Sequence, residues 1–149
     1  TNPGMTRFLM SLDESVSLVQ YAFENAAPGD LFIRKAPAST IEDLAKAVAM
    51  VMGVEPQIQV IGTRHGEKLY ESLLSREEMA QAVDCGHYYR VPLDARSLDY
   101  GLYVEEGEHA VETEHDYTSH NTQRLSVEEV AELLSELPEM REALAKVSR

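Results

Sequence analysis

Hydrophobic residues recur at helical spacing in the first third of the chain. Ser11 provides a helix cap, and the pattern predicts a helix from about residue 12 to 26. A second helix should follow the capping-box pattern of Ser39 and Glu42 and end at Gly53. The first helix carries one apolar stripe that needs a partner surface. Its members are Leu12, Val16, Val19, Phe23 and Ala26.

Two further capping boxes predict helices in the rest of the chain. Ser75 with Glu78 should begin a short helix that runs to about residue 83. Ser126 with Glu129 should begin a core-facing helix, and Pro138 then starts or kinks a final helical segment. The carboxyl-terminal third is therefore expected to end in two consecutive helices.

Short runs of strand-forming residues lie between these helices, at 6–10, 31–35, 58–61 and 87–91. Strands that alternate with helices predict an α/β fold. The segment TRHGEK, residues 63–68, would then lie at the end of the 58–61 strand, where loops of α/β folds commonly carry ligand contacts. Residues 68–74 should continue as an extended segment.

A chain of 149 residues is long enough for one domain with a hydrophobic core. Within that single domain we distinguish three parts. Residues 1–93 carry the alternating elements, residues 94–123 form an irregular acidic arm with at most short strands, and residues 124–149 form a helical segment.

Charge limits the classes of ligand, because 26 acidic residues oppose 13 lysines and arginines and give a net charge of -13. Nonspecific attraction to nucleic acid or to an anionic membrane surface is disfavoured, so an anionic ligand needs a local cationic site. One cysteine, Cys85, excludes an intrachain disulfide and suits a reducing compartment. No apolar run approaches the roughly 18 residues of a membrane span, and we expect a soluble, cytoplasmic protein.

Arg64 and Glu67 form the candidate ligand site. A turn at Gly66 would bring both side chains to the same side of the chain, where arginine suits phosphate and glutamate suits ribose hydroxyls. Arg7 lies among apolar residues on the first predicted strand and could hold the same pyrophosphate. The alternative is that Arg7 and Arg64 are ordinary surface residues that snorkel or form ion pairs.

Histidines and carboxylates cluster in residues 109–121, HAVETEHDYTSHN. The possible ligands are His109, Glu112, Glu114, His115, Asp116 and His120. Their intervals match no defined zinc pattern, so a solvated polar arm is the preferred interpretation and no metal is predicted. Residues 117–121 could instead hydrogen-bond a ligand or a neighbouring subunit, and the sequence does not choose between these.

The chain has no GxGxxG motif, no P-loop, no tyrosine followed four residues later by lysine and no GxSxG elbow. No self-sufficient catalytic set is present in the sequence. We therefore predict no catalytic residues and no bound cofactor for this chain alone.

Four segments taken together resemble a known family: TRFLMSLDESVSLV, STIEDLAKAV, VIGTRHGEKLYESLL and ETEHDYTSHNTQRLSVEEVAELL. In this order they resemble the C-terminal part of bacterial UDP-N-acetylglucosamine 4,6-dehydratase/5-epimerases of capsule and O-antigen synthesis, in the extended short-chain dehydrogenase/reductase superfamily. The resemblance covers about residues 1–137.

The resemblance implies an N-terminal Rossmann domain that binds NADP and carries the catalytic tyrosine and lysine, and this half is absent here. It also implies that Arg7, Arg64 and Glu67 hold the pyrophosphate and ribose of UDP. We expect this chain to be the substrate-binding portion of an α/β enzyme, inactive alone, with a UDP-sugar, the missing half and its own copies as partners. The alternative is a noncatalytic interaction or self-assembly module.

Overall fold

The computed structural model describes residues 1–93 and 115–147. Short strands and helices alternate through the first 93 residues, and two helices close the described chain. The predicted α/β class is confirmed. The helices are α1 (Leu12–Asn25), α2 (Ile41–Met52), α3 (Arg76–Gln81), α4 (Val127–Glu136) and α5 (Pro138–Val147). The strands are β1 (Thr6–Phe8), β2 (Leu31–Arg34), β3 (Ala38–Thr40), β4 (Ser72–Leu74), β5 (Val83–Asp84), β6 (Tyr88–Val91) and β7 (Tyr117–Thr118).

The chain divides into two compact units, each built from discontinuous segments. The first unit contains residues 1–11, 36–71 and the chain from 118 onward. The second contains residues 12–35 and the described residues of 72–117.

The described part of the first unit contains the antiparallel strands β1 and β3 and three helices, α2, α4 and α5. Strand β1 pairs with β3 in a register that places Arg7 opposite Ser39. Helix α2 packs against α4, and Ala47 and Val130 at the contact are fully buried. Full burial of a valine side chain such as that of Val130 contributes roughly 1.5–3 kcal/mol. The packing of α2 against α4 is the most extensive contact between elements of the unit.

The second unit contains a three-stranded antiparallel sheet in the order β2, β6, β5. Leu31 pairs with Val91 at one end of the β2–β6 ladder, and Arg34 pairs with Tyr88 at the other. Helix α1 contacts β2, and the ring of Tyr21 stacks on that of Tyr88 with centroids 4.3 Å apart.

Capping chemistry explains where three of the helices begin. Both boxes with serine, Ser75 with Glu78 and Ser126 with Glu129, are complete, as the sequence predicts. Helix α2 is capped one residue later than expected, because the Thr40 hydroxyl accepts from the Asp43 amide, whereas the Ser39 hydroxyl donates to the Thr40 carbonyl. Gly53 ends α2 in the left-handed region at φ 65°, as predicted.

The predicted strand at residues 58–61 is wrong. Residues 58–61 do not form a strand, and no backbone hydrogen bond joins them to another strand within the described residues. Residues with strand-forming side chains do not form a β-strand unless a neighbouring strand accepts and donates their backbone hydrogen bonds. The apolar stripe of α1, which the sequence predicts to need a partner surface, is exposed: Leu12 and Phe23 are 74% and 87% exposed, while Leu18 and Tyr21 are half-buried.

Candidate functional site

Residues 64–67 form a tight turn, which we call the RHGE turn. The Glu67 amide donates to the Arg64 carbonyl at 3.1 Å, and Gly66 has a φ of 78°. A positive φ at the third position of a four-residue turn is the mark of a type II turn and favours glycine there. The predicted turn at Gly66 is therefore present, although no strand precedes it.

The Glu67 carboxylate fixes this turn. Its Oε2 accepts from the Arg64 amide at 3.0 Å, and its Oε1 accepts from the Thr1 hydroxyl at 3.1 Å. The pKa of Glu67 lies below its ordinary value, mainly because its carboxylate accepts a hydrogen bond from the Arg64 amide. The hydrogen bond from Thr1 and nearby positive charge lower the pKa further. Glu67 is therefore ionised at neutral pH and keeps lone pairs that can accept from a ligand hydroxyl.

The Arg64 side chain has a different environment. The residue is exposed, and within residues 1–93 and 115–147 its guanidinium has no hydrogen bond or ion pair. An unpaired guanidinium presents five donors in a planar fork, which matches the oxygens of a phosphate or a carboxylate. Arg64 is thus the part of the turn that is free to bind an anion.

Arg7 is held by the protein itself. Its Nη1 donates to the Thr6 carbonyl at 2.7 Å and its Nη2 to the Lys68 carbonyl at 2.8 Å, while Nε lies 3.6 Å from a Glu71 carboxylate oxygen. The bond to Lys68 brings Arg7 against the end of the segment that carries Arg64 and Glu67. Arg7 therefore joins β1 to this segment, and only part of its donor capacity is left for a ligand.

A buried hydroxyl pair lies beside Arg7 on β1. Thr6 and Ser119 are fully buried, and their side-chain oxygens are 2.8 Å apart. The Thr6 hydroxyl also contacts Nδ1 of His120 at 2.7 Å, and the ring of His120 lies 5.2 Å from that of Tyr70. Sequence reasoning includes Ser119 and His120 among possible ligand contacts but misses Thr6, because 113 residues separate Thr6 from Ser119.

The described residues contain no group of three or more histidine, cysteine, aspartate or glutamate side chains that could hold a metal ion. Of the possible ligands in residues 109–121, His109, Glu112 and Glu114 lie outside the described residues. His120 hydrogen-bonds Thr6 instead.

An open cleft with a mainly apolar lining also lies in the first unit. Pro3, Ile41, Ala45 and Ile58 contribute to its walls, and neither Arg64 nor Glu67 does. The cleft therefore lacks the cationic groups that an anionic ligand requires, and the RHGE turn remains the candidate site.

None of the helices in the described part of the chain has the length and apolar character of a membrane span.

Comparison with known proteins identifies relatives over nearly the whole chain. Proteins named UDP-glucose 4-epimerase from Rickettsia felis and Rickettsia akari are each 58% identical over 144 residues, which cover 97% of this chain and 42% of each relative. The solved structure of Pen from Bacillus thuringiensis superposes with a TM-score of 0.71 at 28% identity, over 91% of this chain and 38% of that one. This chain therefore spans about two fifths of the length of its curated relatives.

Two family models match in sequence order. Residues 1–93 match the model described as polysaccharide biosynthesis protein, and residues 94–141 match the model described as polysaccharide biosynthesis protein C-terminal. The expected resemblance is confirmed at the level of the family. The chain belongs to the polysaccharide biosynthesis protein family and corresponds to the C-terminal part of an extended short-chain dehydrogenase/reductase-like enzyme.

Proposed function

We propose that this chain is the nucleotide-sugar-binding portion of a longer enzyme of bacterial surface polysaccharide synthesis, with a UDP-N-acetylglucosamine-like ligand. The exposed, unpaired guanidinium of Arg64 beside an ionised Glu67 carries the proposal. In a chain of net charge -13, such a guanidinium offers a local site for a pyrophosphate. The name of the Rickettsia relatives, UDP-glucose 4-epimerase, supports a UDP-sugar as the class of ligand.

In this proposal Arg64 donates to the pyrophosphate and Glu67 accepts from the ribose. Arg7 fixes the segment through Lys68 and contributes its remaining donor capacity to the same phosphate. The parent activity is that of a 4,6-dehydratase/5-epimerase in the cytoplasm. A Rossmann portion outside this chain would hold NADP and the catalytic groups, so the chain alone should bind UDP weakly and turn over no substrate.

Calorimetric titration of UDP and UDP-N-acetylglucosamine into the purified chain tests this proposal. Arg64→Ala should weaken binding about tenfold or more, because hydrogen bonds to a charged group contribute roughly 1.5–3 kcal/mol. Arg76→Ala is the matched control, since Arg76 is exposed and already paired with Glu77. Equal binding by both variants, or no binding to the unmodified chain at millimolar ligand, contradicts the proposal.

Two further titrations separate the ligand from the cofactor. Titration with UDP-glucose in place of UDP-N-acetylglucosamine measures which sugar the chain prefers. The sugar in the relatives' name and the sugar of the proposed ligand differ in the group at C2. NADPH should not bind, because the proposal puts its site outside the chain. Detectable NADPH binding by the purified chain contradicts that division of the enzyme.

The second candidate is a self-assembly module that pairs through the exposed stripe of α1. Val16 and Val19 are 55% and 53% exposed, and Leu12 and Phe23 are more exposed still. Four large apolar side chains along one helix face are typical of an interface rather than of scattered surface residues. A second copy of this chain presents the same self-complementary stripe, as a two-fold dimer requires.

Size-exclusion chromatography with light scattering tests the assembly candidate. The unmodified chain should elute as an oligomer, and Val19→Ser with Phe23→Ser should convert it to a monomer without loss of helix content. Asp13→Ser is the control on the polar side of the same helix. A monomeric unmodified chain at high micromolar concentration excludes this candidate and leaves the nucleotide-sugar proposal intact.

A further inference from the structure

The hydroxyl pair of Thr6 and Ser119 connects His120 to the protein interior through four hydrogen bonds. The Glu71 amide donates to the Ser119 hydroxyl at 2.9 Å, and that hydroxyl donates to the Thr6 carbonyl at 3.1 Å. The two hydroxyl oxygens are 2.8 Å apart, and the Thr6 hydroxyl lies 2.7 Å from Nδ1 of His120.

Counting protons assigns a direction to each bond. If all four contacts are hydrogen bonds, the single proton of the Ser119 hydroxyl goes to the Thr6 carbonyl, which can only accept, and Ser119 accepts at its contact with the Thr6 hydroxyl. The Thr6 hydroxyl then donates its single proton to the Ser119 oxygen, so it accepts at its contact with His120. Only an Nδ1–H on His120 completes all four bonds.

We infer that this relay locks His120 in the Nδ1–H tautomer and presents its Nε2 lone pair as a ligand acceptor. His120 is exposed, and its Nε2 has no partner within the part of the chain that the structure describes. The nitrogen of a neutral imidazole that carries no proton is an acceptor. Thr6 and Ser119 act as positioning residues, because burial fixes both hydroxyls and the ring that they hold.

The surroundings of Nε2 point to the chemical class of ligand. The ring of Tyr70, 45% exposed, lies beside the imidazole at a tilt of 44°. An aromatic face next to a fixed acceptor suits a sugar or nucleoside, which offers a flat apolar face together with hydroxyl or N–H donors. This assignment rests on the proposed function, because it adds His120 to the same nucleotide-sugar site.

Nitrogen-15 NMR of the histidine rings in the free chain tests the relay without any ligand. At pH 8 the His120 resonances, identified by their loss in His120→Asn, should show a protonated Nδ1 and an unprotonated Nε2. Thr6→Val removes the accepting hydroxyl at nearly constant volume and should return His120 to the tautomer mixture of an unconstrained histidine. An Nε2–H tautomer in the unmodified chain overturns the relay whether or not a nucleotide sugar binds.

Titration of two variants with UDP and UDP-N-acetylglucosamine tests the ligand contact. His120→Asn keeps an amide donor near the position of Nδ1 and removes the Nε2 acceptor, so binding should weaken about three- to tenfold. His120→Gln places an amide oxygen near the position of Nε2 and should restore part of that loss. Thermal unfolding of His120→Asn should remain close to that of the unmodified chain, because the bond to Thr6 is kept.

The outcomes separate this inference from the proposed function. If Arg64→Ala weakens UDP binding while His120→Asn binds as tightly as the unmodified chain, the nucleotide-sugar site stands and the His120 contact is overturned. If the unmodified chain binds neither ligand, the proposed function and the contact between His120 and the ligand both fail. The nitrogen-15 spectrum of the histidine rings still decides which tautomer His120 adopts.

Discussion

The two candidate arginines of the first unit lie in opposite environments. Arg7 is only partly exposed on β1 and donates to two backbone carbonyls. Arg64 is exposed in the RHGE turn, where its backbone is fixed but its guanidinium has no partner within the described residues. The same side chain therefore builds the site in one place and is available to a ligand in the other. Positive charge in a sequence does not distinguish the two roles; the partners of the donors do.

Arg7→Ala should have the largest effect, and it tests whether Arg7 has the structural role that Arg64 lacks. Loss of the bonds to the Thr6 and Lys68 carbonyls should lower the free energy of unfolding by about 2 kcal/mol, measured by urea denaturation. Arg7→Lys should recover only part of this loss, because one ammonium does not reproduce the guanidinium fork. Unchanged stability of Arg7→Ala would show that Arg7 is not part of the scaffold.

Gly66→Ala tests whether the RHGE turn needs its left-handed residue. A Cβ at Gly66 meets no atom within 4 Å, so any cost comes from the backbone at φ 78°. We expect a loss of about 1 kcal/mol by urea denaturation, together with weaker UDP binding, because the turn positions Arg64. Gly66→Asn, which tolerates this conformation better, should lie between alanine and glycine. An alanine variant as stable as the unmodified chain contradicts the turn assignment.

Arg64→Ala should change stability by less than about 0.5 kcal/mol, in contrast to Arg7→Ala, because the exposed guanidinium has no protein partner to lose. The same urea denaturation measures both variants. A loss comparable to that of Arg7→Ala would mean that Arg64 has a structural role.

The smallest expected effect is the loss, at acid pH, of the contribution that Glu67 makes to the free energy of unfolding. The pKa of Glu67 is lowered in the folded chain, so its contribution is complete above its unfolded value near 4.5 and is lost as pH falls through the folded value. The stability difference between the unmodified chain and Glu67→Gln should be constant at neutral pH and vanish in strong acid. A carboxyl carbon-13 titration should place the Glu67 midpoint below that of an unstructured glutamate. A midpoint above it contradicts the bonds to Arg64 and Thr1.

Local signals in the sequence predicted most of the elements. The capping boxes at Ser75 and Ser126 were readable because a box involves residues three positions apart. The start of α2 was placed one residue early because Ser39/Glu42 and Thr40/Asp43 both fit the pattern, and the sequence does not show that the Ser39 hydroxyl donates to the Thr40 carbonyl instead of capping the helix.

Features that depend on distant partners were not predictable from spacing. The run at 58–61 has strand-forming residues but no partner strand within the described residues. On the half-buried side of α1, Tyr21 stacks on Tyr88, a contact that periodicity does not reveal. The RHGE turn was foreseen from Gly66 and the spacing of Arg64 and Glu67, whereas the bond from Arg7 to the Lys68 carbonyl, 61 residues away, was not. Ligand roles for all three charged residues stay predictions.

The bond between Thr6 and Ser119 has a consequence for how the chain matures during synthesis. Ribosomes add roughly 5–20 residues per second, so the 113 residues between these hydroxyls take on the order of 6–20 s to translate. Throughout that interval β1 lacks one of its buried partners, and the first unit cannot close. The β1 segment therefore lacks this partner until Ser119 is made, and it is the part of the nascent chain where we expect chaperone dependence.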